Sequence, residues 1–163
     1  VARLQSKFRF EFFFKANMRK TFIIGLGCML VLLIVYAAYL SYSKSKESRL
    51  MTMSRGFIAH AELQEARLSL SEVLRLNPRN VEATRLMADL VAGDSKTEEL
   101  QWRMRVTELV PGSAKDRIAL AMAAAKSGNL ALATNALAKV AVVNQKTAEY
   151  QNAVGVLAIA EHQ

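Results

Sequence analysis

The sequence is poor in the residues that make chemistry. In 163 residues there are one cysteine, two histidines, two prolines and one tryptophan. A lone thiol, Cys28, excludes an internal disulfide framework and any cysteine-rich zinc site. His60 and His162 lie far apart and have no acid–serine or cysteine spacing beside them, and His60 reads as a surface residue in a turn. No GxxxxGK[ST], GxGxxG or HExxH motif occurs. Asp89, Asp94, Glu98 and Glu99 gather near one loop without calcium-loop spacing, which reads as a solvated face and not a metal site. No cofactor, no metal and no catalytic role are expected.

The charge is unevenly placed. Residues 1–56 carry ten Lys/Arg and two acids, the whole net charge of +8, while residues 57–163 carry twelve of each sign. A nucleic-acid-binding domain would show its basic patch on the folded part. Here the basic residues flank an uncharged run of 19 that starts at Phe22 and ends at Leu40. As a helix it spans roughly 28 Å, close to the bilayer's hydrocarbon thickness. Arg19 and Lys20 close one end, and Tyr36, Tyr39, Tyr42, Lys44 and Lys46 close the other, as interfacial anchors do. The expected partner of this run is therefore the membrane, and no nucleic acid is expected. A single-pass signal anchor over 18–43 is expected. A buried core helix rarely runs so long without a polar residue. Cleavage near Val35-Tyr36-Ala37 would have to occur among crowded tyrosines. Gly25 stands where a lipid-modified Cys28 would need a Leu-like residue.

Six basic residues precede the run and four follow it, which places the N-terminus inside and the remainder in the periplasm of a bacterial inner membrane. Residues 1–17 begin with Val and hold five of the seven phenylalanines. They read as a basic, Phe-rich extension ahead of Met18, either non-native or a GTG start written literally.

After a short polar, basic stretch at 41–48 the sequence reads as helices of about 11–15 residues separated by turns at 76–80, 92–95, 110–113, 126–129 and 144–147. Ser95 with Glu98, and Ser113 with Asp116, have capping-box spacing. The segments repeat. Met53/Ser54/Phe57, Met87/Ala88/Val91, Leu120/Ala121/Ala124 and Val154/Gly155/Ala158 recur at offsets of 34, 33 and 34. Second helices recur as Ala66/Leu70/Val73, Glu99/Arg103/Val106 and Ala133/Leu137/Val140, with Pro78 and Pro111 closing the first two and Gln145 in that place in the third. This pattern resembles the tetratricopeptide repeat. With the anchor, the chain resembles membrane-anchored tetratricopeptide proteins of bacteria. The resemblance covers about 47–163 and implies an all-α fold: a transmembrane helix, then an α-solenoid of about three and a half helix-turn-helix units at 47–80, 81–113, 114–147 and an incomplete 148–163 within a repeat domain over 44–163. Ala66, Ala88, Ala121, Ala133 and Gly155 are the small residues of close helix approach, and Phe57, Leu70 and Leu137 the gap fillers.

Glu99 and Arg103 depart from the apolar pattern. Leu100, Trp102 and Met104 offer apolar side chains that a rotated or shifted helix would bring inward, with Arg103 and Arg105 solvated. The last helix is apolar nearly all round, so further repeats or a stacking partner are expected on it, the chain being the N-terminal part of a longer repeat protein or handing that face over. The resemblance implies a groove lined by first helices, at Met51, Arg55, Ile58, Arg85, Asp89, Ile118, Met122, Lys126, Asn152 and Val156. The paired Lys and Asn with which some family members clamp a C-terminal carboxylate are not reproduced. The expected function is a membrane-tethered scaffold offering a groove to a peptide or protein partner in envelope assembly, secretion or maturation. The alternatives are a structural subunit of a membrane complex, or the regulatory segment of an enzyme whose catalytic domain lies beyond Gln163.

Overall fold

The computed structural model describes the backbone of residues 2–161 and the side chains of residues 26, 27 and 29–161. Its elements are α1 (Ala2–Ala59), α2 (Leu63–Leu76), α3 (Val81–Val91), α4 (Lys96–Leu109), α5 (Ala114–Lys126), α6 (Leu130–Ala138), a 3-10 turn (Val142–Asn144) and α7 (Ala148–Glu161). The chain divides into two compact units, Val1–Lys46 and Glu47–Gln163.

In the first unit the large apolar side chains from Leu26 to Tyr42 are exposed, from 42% at Leu40 to 69% at Leu32 and Tyr42. Among the described residues no helix is long and apolar enough to cross a membrane. The side chains of residues 22–25 and Cys28, which belong to the apolar run, lie outside those described, as do those of the extension 1–17. The polar stretch 41–48 does not interrupt the helix. It contains neither Pro nor Gly, and its Lys and Glu are good helix formers.

The second unit is built of helical hairpins whose boundaries follow from local chemistry. Free amides at helix starts need acceptors, and short polar side chains supply them. Ser95 Oγ accepts from the Glu98 amide and Ser113 Oγ from the Asp116 amide, each at 3.3 Å, as the spacing predicts. Asn80 Oδ1 and Asn129 Oδ1 do the same for Ala83 and Leu132, at 2.8 and 3.1 Å. In place of the third closing proline, Gln145 Nε2 donates to the Val140 carbonyl at 3.0 Å.

The core repeats with the sequence. Met51, Leu70, Val73, Ala83 and Met87 form one cluster, joining the end of α1 to α2 and α3. Ile118, Leu120, Ala121, Ala136, Leu137, Val140 and Ala153 form another, joining α5, α6 and α7. Small residues allow the close approach: Ala66, Ala88 and Ala133 are completely buried and Ala121 nearly so. Of the large residues, Leu70 and Leu137 are buried, whereas Phe57 is only half-buried and Gly155 is exposed, contrary to the packing roles expected of them.

The expected rotation of α4 does not occur. Glu99 and Val106 remain buried at 4% and 1% exposure, and Arg103 lies between them in the regular register. Arg103 Nη2 donates to Asp89 Oδ1 on α3 at 2.7 Å and lies 3.7 Å from Glu99 Oε1. A charge can take an apolar position here because it is paired. Arg103 is therefore not a solvated flank and Glu99 not part of a solvated face. Trp102 packs on the α1–α2–α3 cluster, and Leu100 and Met104 on the α5–α6–α7 cluster.

Candidate functional site

Helix α5 is the centre of the site. Its Ala121 and Ala124 are buried in the two apolar clusters that involve α6 and α7. A stripe at i, i+4, i+7 and i+11 is left: Lys115, Ala119, Met122 and Lys126. Beside this stripe lies a cleft of about 430 Å³, lined by Ala114, Lys115, Ile118, Ala119 and Met122 from α5 and by Asn144, Thr147 and Glu149 from the segment leading into α7. Its floor is apolar, with Lys115 and Glu149 as charged side chains in its wall. Such a recess suits an apolar side chain of an extended or helical partner, with polar groups at the rim.

Salt bridges neutralise most of the charge expected in the groove. Arg55 Nη2 and Nε bond to Glu82 Oε1, at 2.6 and 3.1 Å. Arg85 makes a two-pronged contact with Asp116, Nε to Oδ1 at 2.9 Å and Nη2 to Oδ2 at 2.6 Å. In both pairs an arginine of one hairpin's first helix holds an acid in the first turn of the next, where the helix dipole also favours negative charge. Arg67 of α2 bonds to Glu98 of α4 in a similar way. The Asp116 carboxylate is only 5% exposed. Burial opposes its charge, but hydrogen bonds from Arg85 and Ser113 outweigh that and hold its carboxyl below the usual carboxylate range. The Arg85 guanidinium is pushed up, through its hydrogen bond to Asp116 first of all.

The expected groove residues therefore separate. Ile118 and Met122 line the cleft and Lys126 is exposed on the same face of α5. Met51 is a core residue at 5% exposure, not a lining residue. Arg55, Arg85 and Asp89 are tied to Glu82, Asp116 and Arg103. Ile58 is half-buried, Val156 packs partly buried on the cluster of Ala124, Ala125 and Ala133, and Asn152 is exposed on α7. Sequence reasoning missed Lys115 and Ala119, which the α5 periodicity places beside Met122. It also missed Asn144, Thr147 and Glu149, which reach the cleft because α6 stops at Ala138 and a 3-10 turn follows. Among the described residues no group of His, Cys, Asp and Glu could hold a metal ion.

No family model matches the sequence, and no curated protein matches it either. Solved structures do. The TPR2B domain of yeast Sti1, in its complex with pHsp70, superposes with a TM-score of 0.59 over 72% of this chain and 98% of that one, at 15% identity. The repeats form a tetratricopeptide-like solenoid. A mutant of the Thermobaculum terrenum O-GlcNAc transferase superposes with a TM-score of 0.56 over 74% of this chain, at 19% identity. This chain spans only 23% of that enzyme. At these identities the likeness is one of fold.

Proposed function

We propose that this protein is a membrane-tethered interaction scaffold whose working surface is the cleft beside α5, and that it acts by binding and not by catalysis. The observation that carries the reading is the cleft itself: a recess of about 430 Å³ floored by Ile118, Ala119 and Met122, in a fold where Arg55, Arg85 and Asp89 of the expected groove are already paired. The partner is a peptide or protein segment that inserts an apolar side chain between Lys115 and Glu149. The likeness to a solved tetratricopeptide domain in complex with pHsp70 supports a protein ligand in general.

Tethering rests on the exposed apolar side chains of α1 and on the basic and tyrosine residues flanking the run. An anchor of this kind, with its N-terminus inside, puts the repeats in the periplasm of the inner membrane and raises the groove's effective concentration near envelope machinery. A second reading draws on the transferase likeness: the segment serves as the regulatory arm of a larger enzyme.

Photo-crosslinking tests the cleft. A photoreactive residue at Met122 should capture a discrete partner, one at exposed Gly112 on the turn should not, and equal capture at both positions would sink the assignment. Carbonate washing of membranes, with protease added to spheroplasts, tests the tether. Release by carbonate would remove the anchor from the proposal, and a protected repeat domain would reverse its orientation.

A further inference from the structure

We infer that the cleft beside α5 takes a glutamate side chain of the partner, next to the apolar residue it receives, and holds its carboxylate between Asn144 and Lys115. The inference rests on the reading of that cleft as the working surface, and its template lies inside the chain. At the turn that joins the first hairpin to the second, one carboxylate oxygen of Glu47 accepts two hydrogen bonds, from Asn77 Nδ2 at 2.9 Å and from Asn80 Nδ2 at 2.5 Å. All three side chains are half-buried. The repeat offsets carry Glu47 onto Val81 and then Ala114, and Asn77 onto Val110 and then Asn144. The first unit therefore fills this place with a carboxylate and an amide, the second with two valines, and the third with a methyl group and an amide.

The third unit keeps the donor and lacks the acceptor. Ala114 and Asn144 both line the cleft, so the place that Glu47 fills in the first unit belongs to the open recess in the third. The side-chain amide of Asn144 makes no hydrogen bond among the described residues, and Lys115, which follows Ala114 on α5, makes no salt bridge among them. The counterpart of Asn80 is Thr147, whose hydroxyl already donates to the Asn144 carbonyl at 2.8 Å and accepts from the Tyr150 amide at 3.3 Å. Lys115 therefore supplies the second donor. Glu149, exposed on the first turn of α7, bonds to neither Asn144 nor Lys115. A carboxylate entering here gains charge-assisted hydrogen bonds that a glutamine of the same shape does not. The amide comes from the turn between units and not from a first helix, so the site is this chain's own variation on its Glu47 clasp.

The test is a nuclear magnetic resonance titration of the full chain in detergent with two probes, N-acetyl-glutamyl-leucinamide and N-acetyl-glutaminyl-leucinamide. Both should shift the Met122 methyl signal. The glutamyl probe should also shift the Asn144 side-chain amide and bind roughly tenfold more tightly. Asn144→Leu and Lys115→Met should each reduce that preference. Ala114→Glu should rebuild the clasp of the first unit within the third, raising the melting temperature and abolishing the preference for the glutamyl probe. The gain in melting temperature should vanish when Asn144→Leu is added. Equal affinities with the Met122 methyl still shifting would overturn this inference and leave the cleft reading standing. No shift with either probe would overturn both. A gain in Ala114→Glu that survives Asn144→Leu would give the new carboxylate to the helix dipole and remove Asn144 from the site.

Discussion

The second and third hairpins solve the same packing problem with opposite chemistry. In the third, α6 presents Ala133 and Leu137, both apolar and both buried. In the second, α4 presents Glu99 and Arg103 at the same places, Glu99 buried and Arg103 partly so, as an ion pair that Asp89 of α3 extends. The helices keep the same register in both, so it is set by the hairpin geometry and by flanking anchors such as Val106 and Val140, at 1% and 3% exposure, and not by the identity of these two side chains. The difference lies in vulnerability. An apolar position fails when it gains a charge, and a paired position fails when it loses one.

The largest effect should come from making the third hairpin polar without a partner. Leu137→Asp puts an unpaired carboxylate in the α5–α6–α7 cluster and should cost about 3 kcal/mol or more, enough to unfold that end of the stack in urea titration. An unchanged midpoint would mean that Leu137 does not close the hairpin.

The second hairpin should respond differently to one change and to two. Glu99→Ala alone leaves the Arg103 guanidinium buried with only Asp89, and should cost ~1–3 kcal/mol. Glu99→Ala with Arg103→Leu reproduces the Ala–Leu pair of the third hairpin, and should be neutral or stabilising by up to ~4 kcal/mol. The Arg103 Nε is buried without a hydrogen-bond partner, which adds to the gain when Arg103 is replaced. Additive losses in the double variant would show that the ion pair is needed for the register.

The repeat itself was legible in the sequence because it is a matter of spacing. Small and apolar residues at offsets of 33 and 34 report helix-on-helix burial whatever the partner, and the serine caps at Ser95 and Ser113 report helix starts. Pairings that reach across hairpins were not legible. Arg55 with Glu82, Arg85 with Asp116 and Arg67 with Glu98 join residues separated by 27, 31 and 31 positions, three distances that match no repeat offset. This is why Arg55 and Arg85 could be read as free groove residues, whereas Asp89 is tied within its own hairpin, by Arg103. The cleft was half legible: Ile118 and Met122 lie on a periodic stripe, but Asn144, Thr147 and Glu149 depend on where α6 ends.

The link between these two hairpins should carry a pH signature. Asp116 has a lowered folded-state pKa, so its contribution is fully present above its unfolded value near 3.8 and is lost as pH falls through the lower folded value. Stability should therefore drop more steeply in wild type than in Asp116→Asn as pH is taken from about 5 downwards. Parallel curves for the two proteins would place the acid sensitivity elsewhere.

The smallest effect concerns the turn inside a hairpin, where first and third units differ by one methyl group. Gly128, between α5 and α6, has φ of 79°, and Ala61, two repeats earlier between α1 and α2, has φ of 60°. Both backbones are left-handed, a region that costs a residue with a Cβ roughly 1–2 kcal/mol and glycine almost nothing. A Cβ on Gly128 would meet no atom within 4 Å, so Gly128→Ala tests the backbone alone and should cost ~1 kcal/mol. Ala61→Gly relieves the same strain, but glycine's greater freedom in the unfolded chain offsets part of the gain, leaving about 0.5 kcal/mol of stabilisation. Thermal unfolding of the two single variants should therefore move in opposite directions. Movement in the same direction would mean that the two turns are not equivalent, and with them the register that relates the first hairpin to the third.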